Sequence, residues 1–147
     1  TGALDDAAAN DGFNLVTQQT AEWNAEKAQQ IVQSVIDAGT PFNVIYAEND
    51  DMAKGAVAAL DKANISHGVG KDVIVMGFDC NKWALEELKA GNWNYDGQCN
   101  PFQASYIDEI IKKLENGETI SEKTIIMDEK GFDATTITQE DVDNYGI

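Results

Sequence analysis

The chain contains no arginine, and its basic residues are ten lysines set against 26 aspartates and glutamates. The formal net charge is −16. A surface of that sign repels phosphate backbones, which argues against a nucleic-acid partner and disfavours anionic ligands unless a local lysine meets them. Histidine occurs once, at His67, and the two cysteines, Cys80 and Cys99, form no CxxC pair. A zinc site needs three or four Cys or His ligands at close spacing, so no metal and no cofactor is expected. Two cysteines do not by themselves assign a redox compartment. Long apolar runs are missing too. Nothing approaches the roughly 20 residues of a membrane helix, and no signal peptide is recognisable. The first residue is Thr1 rather than Met, which fits a mature protein or an excised fragment.

Enzyme signatures are equally scarce. There is no GxSxG elbow and no GxxxxGK[ST] phosphate loop. Gly68-Val69-Gly70 precedes a strand and reads as a turn, not a dinucleotide fingerprint. His67 lies in that turn and reads as exposed and structural. Asp79 could be the phosphoacceptor of a receiver-like domain, but that chemistry also wants an acidic pair after an earlier strand and a lysine after a later one. The lysine is not found. No enzymatic activity is expected.

What the chain does have is length and pattern. At 147 residues, 43% of them apolar, it is long enough for one domain with a real core. Short β-rich runs alternate with amphipathic stretches. Phe13–Thr17 reads as a strand. Ala28, Ile31, Val32, Val35 and Ile36 then share one helix face, and Gly39 and Pro41 end that helix. Phe42–Ala47 is a nearly continuous apolar run, as in a strand buried on both faces. A helix from Asp51 to about Ala63 follows, capped by Asp50 or Asp51. Asp72–Met76 is another buried strand, followed by a helix from about Asn81 to Ala90 closed by Gly91. A weaker strand spans Trp93–Gln98. The run Phe102–Asn116 is helical, with Ile107, Ile110, Ile111 and Leu114 on one face. Lys123–Met127 reads as a late strand, and Thr138 to Asp141 starts a terminal helix as a capping box. The alternation predicts an α/β fold, an open parallel sheet with helices on both faces.

In such a sheet, ligands bind beyond the carboxyl ends of the strands. Those positions carry Glu48, Asn49 and Asp50, then Phe78 and Asp79, then Gln98, Cys99 and Asn100, with Gln18 to Trp23 after the first run. Each strand end thus bears an amide, a carboxylate or an aromatic ring. Sugar hydroxyls both donate and accept, which Asn and Gln match, while Asp accepts strongly. The C–H face of a sugar ring packs on an aromatic side chain such as Trp23 or Phe78. Taken singly, such Asx residues also serve as helix caps and turns, and a lone Trp as core. Together on one edge they make a candidate site for a small polar ligand, centred on Asn49.

Several motifs carry a family resemblance. Ala47-Glu48-Asn49-Asp50-Asp51-Met52-Ala53-Lys54-Gly55-Ala56 resembles a signature of the sugar-binding proteins of ABC importers, the type I periplasmic binding proteins of the ribose- and galactose-binding kind. So does Val75-Met76-Gly77-Phe78-Asp79 followed by Ala84-Leu85-Glu86-Glu87-Leu88. Gln19 to Trp23 and Gln98 to Pro101 extend the likeness over most of the chain. The resemblance implies a two-lobed receptor closing on a sugar, with residues 1–147 as its carboxy-terminal lobe and 102–127 crossing to a missing amino-terminal lobe. It implies that Asn49 and Asp79 hydrogen-bond sugar hydroxyls, that Phe78 and Trp23 form aromatic wall, and that Gln98 is a hinge-side amide. Gln98 stands three residues before Pro101, where many relatives have two. The arginines that often grip the sugar would have to come from the other lobe.

The implied partners are a sugar and a membrane permease, and the implied location is periplasmic or extracellular, with a lipid anchor as one form. The effector core of lactose-repressor-class regulators shares the fold and stands as the alternative. Cys80 and Cys99 directly follow Asp79 and Gln98. A disulfide between them and two buried free thiols both stay open, with an oxidising compartment favouring the bond.

Overall fold

A computed structural model describes residue 10 and residues 12–147. Helix α1 (Ala25–Asp37) starts at Asn24, whose side chain accepts the Lys27 N–H at 2.9 Å. It closes in a Schellman turn. Gly39 takes a left-handed φ of 66°, and Thr40 N–H reaches back to Val35 O at 3.2 Å. The buried run then gives β1 (Val44–Tyr46) and, past a polar turn, α2 (Asp50–Lys62). Asn64 (φ 56°) ends α2 as Gly39 ends α1. The next unit is β2 (Ile74–Phe78) and α3 (Lys82–Lys89), and then come β3 (Tyr95–Gly97), α4 (Ala104–Glu115), β4 (Gly131–Asp133) and α5 (Gln139–Tyr145).

The strands form an open sheet in the order β1-β2-β3-β4. β1, β2 and β3 run parallel, as βαβ units dictate, and β4 is antiparallel to β3. The sheet is therefore mixed, with its parallel part in sequence order. Val75, Gly77, Asp96 and Phe132 share the buried face. Against it lie Ala53, Ala56 and Leu60 of α2, Leu85 and Leu88 of α3, Trp93 and Val142. α1 crosses α2 closely at Gly55, where a Cβ would stand 2.0 Å from Ala25 O.

Helix cover is found on this one face among the described residues. The opposite face carries Val44, Tyr46, Ile74, Met76, Phe78 and Tyr95 and is largely open to solvent. Tyr46, Phe78 and Tyr95 form an aromatic row across three strands, with ring centroids 5.2 and 6.5 Å apart.

Two expected strands are absent. Phe13–Thr17 makes no ladder, and Phe13 is 64% exposed. Lys123–Met127 likewise pairs with no strand among the described residues, and Ile126 is 88% exposed. A β-pattern becomes a strand only where a neighbouring edge takes up its backbone groups, and neither run meets one. The strand that does form, Gly131–Asp133, has too little apolar pattern to announce itself. Its single inward side chain is Phe132, and the ladder to β3 aligns it.

The capping box at the last helix is present: Asp141 N–H donates to Thr138 Oγ1 at 3.1 Å, and Thr138 N–H donates to Asp141 Oδ2 at 2.9 Å. His67 is structural but not exposed. Its Nδ1 lies 2.8 Å from Asn92 O and its Nε2 3.1 Å from Asp61 Oδ1, pinning the end of α2 to the turn before β3.

Candidate functional site

The three parallel strands end on one edge, and each delivers one polar side chain there. Asn49 follows β1 and is the N-cap of α2: its Oδ1 accepts the Met52 N–H at 2.9 Å. That leaves the two N–H bonds of its amide without a partner among the described residues. Capping and ligand binding are thus not competing readings, because they use different atoms of one side chain.

Asp79 follows β2. Its backbone N–H continues the ladder to Gly97 O at 2.9 Å, after which the chain turns sharply. Asp79 (φ 117°) and Cys80 (φ 62°) both occupy the left-handed region, a strained arrangement for two consecutive side-chain-bearing residues. The turn leaves the Asp79 carboxylate half-buried and without a hydrogen-bond partner among the described residues. Partial burial first, and then the nearby Asp51 charge, raises its pKa above the usual value.

Gln98 follows β3. Its N–H donates to Lys130 O at 2.8 Å, and its Oε1 accepts the Lys130 N–H at 3.2 Å. Its side-chain NH₂ has no partner among the described residues. Neighbouring strands lie about 5 Å apart, so the edge presents donor, acceptor and donor in a row across about 10 Å.

The aromatic candidates are placed differently. The Phe78 ring lies over Gly97, where a Cβ would stand 2.6 Å from two ring carbons. It belongs to the aromatic row on the open sheet face. Trp23 sits in the turn before α1 with φ 59° and is 67% exposed. The structure therefore brings Asn49, Asp79 and Gln98 together on consecutive strand ends, with Phe78 beside them on the face and Trp23 on a separate turn.

Cys80 and Cys99 are both free thiols, which corrects the disulfide reading. The left-handed backbone at Cys80 turns its side chain inward, where Sγ donates to Asp96 Oδ1 at 3.8 Å, while Cys99 is exposed. Burial, then the charges of Asp96, Asp50 and Asp79, push the Cys80 thiol far up, so it stays protonated.

Beneath the edge lies a second polar layer that sequence reasoning missed. Asp50 and Asp96 are both 0% exposed. Asp50 Oδ2 accepts the N–H of Asn81 at 2.8 Å and its side-chain Nδ2–H at 3.1 Å. The two carboxyl groups also act on each other, and the Asp50 charge adds to the upward shift of Asp96. Burial is the main cause that raises both above the ordinary carboxylate range, and it raises Asp96 further. Gly77 makes room for the pair: a Cβ there would stand 2.6 Å from Asp50 Oδ1 and 2.7 Å from the Trp93 ring. The available signal was Asp96 itself, a lone acid inside a run that otherwise reads as a strand.

No group of three or more His, Cys, Asp or Glu among the described residues is placed to hold a metal ion. No helix among them is long and apolar enough to cross a membrane.

Residues 2–119 match the family described as periplasmic binding protein domain. The chain belongs to that family. It is 31% identical over 132 residues to the fructose import binding protein FruE of Bifidobacterium longum, covering 88% of this chain and 38% of the relative. It is 32% identical over 81 residues to the ribose import binding protein RbsB of Bacillus subtilis, covering 55% of this chain and 25% of the relative. A solved ABC transporter periplasmic solute binding protein from Actinobacillus succinogenes, with bound D-allose, superposes with a TM-score of 0.78 at 30% identity, covering 98% of this chain and 48% of that one. This periplasmic binding protein domain thus spans less than half the length of the relatives it matches.

Proposed function

We propose that this chain is the carboxy-terminal lobe of a two-lobed receptor that binds a mono- or small oligosaccharide, without chemistry, for an ABC-type importer. The observation that carries this reading is the row of Asn49, Asp79 and Gln98 on three adjacent strand ends, whose amide hydrogens and carboxylate have no partner among the described residues. Relatives named for sugar import and one solved with bound D-allose support it. The location that goes with this role is periplasmic or extracellular, held at the surface by a lipid where no outer membrane confines it. The membrane partner is the importer's permease.

The segment 102–127 supports the second lobe. It leaves the body at Gln98 to Asn100 and returns at Glu129-Lys130, where Asn100 N–H donates to Glu129 Oε1 at 2.7 Å. Between these points it has no fully buried residue, and α4 exposes Ile107, Ile111 and Leu114. An apolar helix face held out from the body suits packing on another lobe. Half a cleft binds weakly, because closure normally buries the ligand from both sides.

The test is calorimetric titration of the two-lobed protein with a panel of mono- and disaccharides. One or more should bind, and Asn49→Ala should weaken that binding about tenfold or more by removing a buried hydrogen-bonding group. Heat changes absent across the whole panel would overturn the reading.

A further inference from the structure

We propose that the Asp50–Asp96 pair is a positioning device for the sugar site, in which one shared proton ties the ends of β1, β2 and β3 together and sets the geometry of Asn49, Asp79 and Gln98. The inference rests on the sugar-binding reading and goes beneath it, to residues that touch no ligand.

Each partner in the buried layer is one or two residues from a ligand-facing side chain. Asp50 follows Asn49, Cys80 and Asn81 follow Asp79, and Asp96 precedes Gln98 by two. The contacts between them therefore cross all three strand ends. Asn81 N–H and Nδ2–H donate to Asp50, and the Cys80 thiol donates to Asp96 Oδ1. Only Asp50 Oδ1 and Asp96 Oδ2 are left without another partner, and both are fully buried. A proton bridging these two oxygens satisfies both at once.

The pair then carries a single negative charge. That charge is stabilised where it sits, since Asp50 opens α2 and Asn81 opens α3, so two helix amino ends converge on it. A second negative charge is not. Among the described residues neither carboxyl forms an ion pair. The remaining charge that acts on both is the like charge of Asp79, itself under the influence of Asp51. Losing the shared proton sets two carboxylates against each other in a dry site, where repulsion is strong. The β1 and β3 ends separate, and Asn49 and Gln98 move with them.

Proton and sugar are then linked ligands, and each strengthens the other's binding by the same factor. The test follows the Asp96 carboxyl carbon and the side-chain amides of Asn49 and Gln98 by NMR from pH 6 to 9. Sugar affinity is measured over the same range. In the unaltered protein the two amide signals should shift in the same step as Asp96, and affinity should fall about tenfold toward pH 9. Asp96→Asn replaces the shared proton with a permanent N–H donor, so it should keep the affinity seen at pH 6 and abolish the alkaline loss. Asp50→Asn serves as a second variant and should flatten the profile in the same way.

Amides that ignore the Asp96 step, or an alkaline loss that persists in both variants, would overturn the proposal. If the coupled NMR step appears and no sugar binds, the positioning device stands and the sugar reading falls.

Discussion

Asp50 Oδ2 receives two hydrogen bonds from one residue, Asn81, at 2.8 Å from its backbone N–H and 3.1 Å from its side chain. This joins the first residue of α2 to the residue that opens α3, across the end of β2. Replacing Asp50 by Ala leaves the part-buried Asn81 N–H without an acceptor and opens a space beside the buried Asp96 carboxyl. The expected loss is about 2–4 kcal/mol of stability, from stranding buried polar groups. Urea denaturation of Asp50→Ala beside Asp50→Asn checks it, and the Asn variant, which keeps an acceptor, should lose distinctly less.

Gly77 allows the Asp50–Asp96 layer to exist. A methyl group there would meet Asp50 Oδ1 at 2.6 Å and Trp93 at 2.7 Å, neither of which has free space to retreat into. Gly77→Ala should therefore cost about 1–3 kcal/mol by overpacking. It should also shift the Asn49 and Asp79 backbone signals, which a simple loss of chain flexibility would not do. The readout is the urea midpoint together with an amide NMR map.

In the proposed site Asn49 would cap α2 with one atom and meet the sugar with another, and two substitutions separate these roles by experiment. Asn49→Asp keeps an oxygen to accept the Met52 N–H but loses the amide donors. Asn49→Ala loses both. The Asp variant should stay near the parent in stability and lose sugar affinity about tenfold or more. The Ala variant should lose the affinity and in addition about 1 kcal/mol of stability from the missing cap. Equal stability of both variants would show that the cap contributes nothing.

Much of this site is legible in the sequence because parallel strands announce their ends. An apolar run such as Phe42–Ala47 followed by Glu48-Asn49-Asp50 is a strand running into a helix cap, and the ligand edge of an open sheet follows from topology. The candidates Asn49, Asp79 and Gln98 are picked out that way, and they do follow three adjacent strands. Asp96 is not, because a buried acid is recognisable only once its partner is placed, and Asp50 comes from 46 residues earlier in the chain. The same holds for β4. Pairing, not pattern, makes Gly131–Asp133 a strand, and its absence among the described residues leaves Phe13–Thr17 and Lys123–Met127 outside any strand. Phe78 is correctly an aromatic residue at a strand end, but strand alternation puts its ring over the sheet face at Gly97.

Stability should depend on pH through the buried pair. Burial raises Asp96 from its ordinary value near 4 to about 8. The folded state therefore holds a proton that the unfolded chain releases between these values. Its contribution is fully present below about pH 4 and is lost progressively as pH rises toward 8. The exposed carboxylates held low by their partners, Asp133, Asp141 and Asp143, act in the opposite sense at the acid end. The difference between the parent and Asp96→Asn cancels them. Denaturation series at pH 5, 7 and 9 should show the parent losing ground to Asp96→Asn as pH rises. A constant difference would mean that Asp96 does not titrate in this range.

The last prediction concerns α4. Its ion pairs, Lys112 with Asp108 and Lys113 with Glu109, lie on its solvated side. Ile107, Ile111 and Leu114 are exposed on its other side. If this face packs on a second lobe, Ile111→Glu should leave the unfolding of residues 1–147 alone within about 0.5 kcal/mol, because it touches no core there. In the two-lobed protein the same change buries a charge and should cost about 2 kcal/mol or more. Equal effects in the two settings would place the face outside any lobe contact. A large effect in the isolated chain would mean that α4 packs on its own sheet, whose uncovered face bears Tyr46, Phe78 and Tyr95.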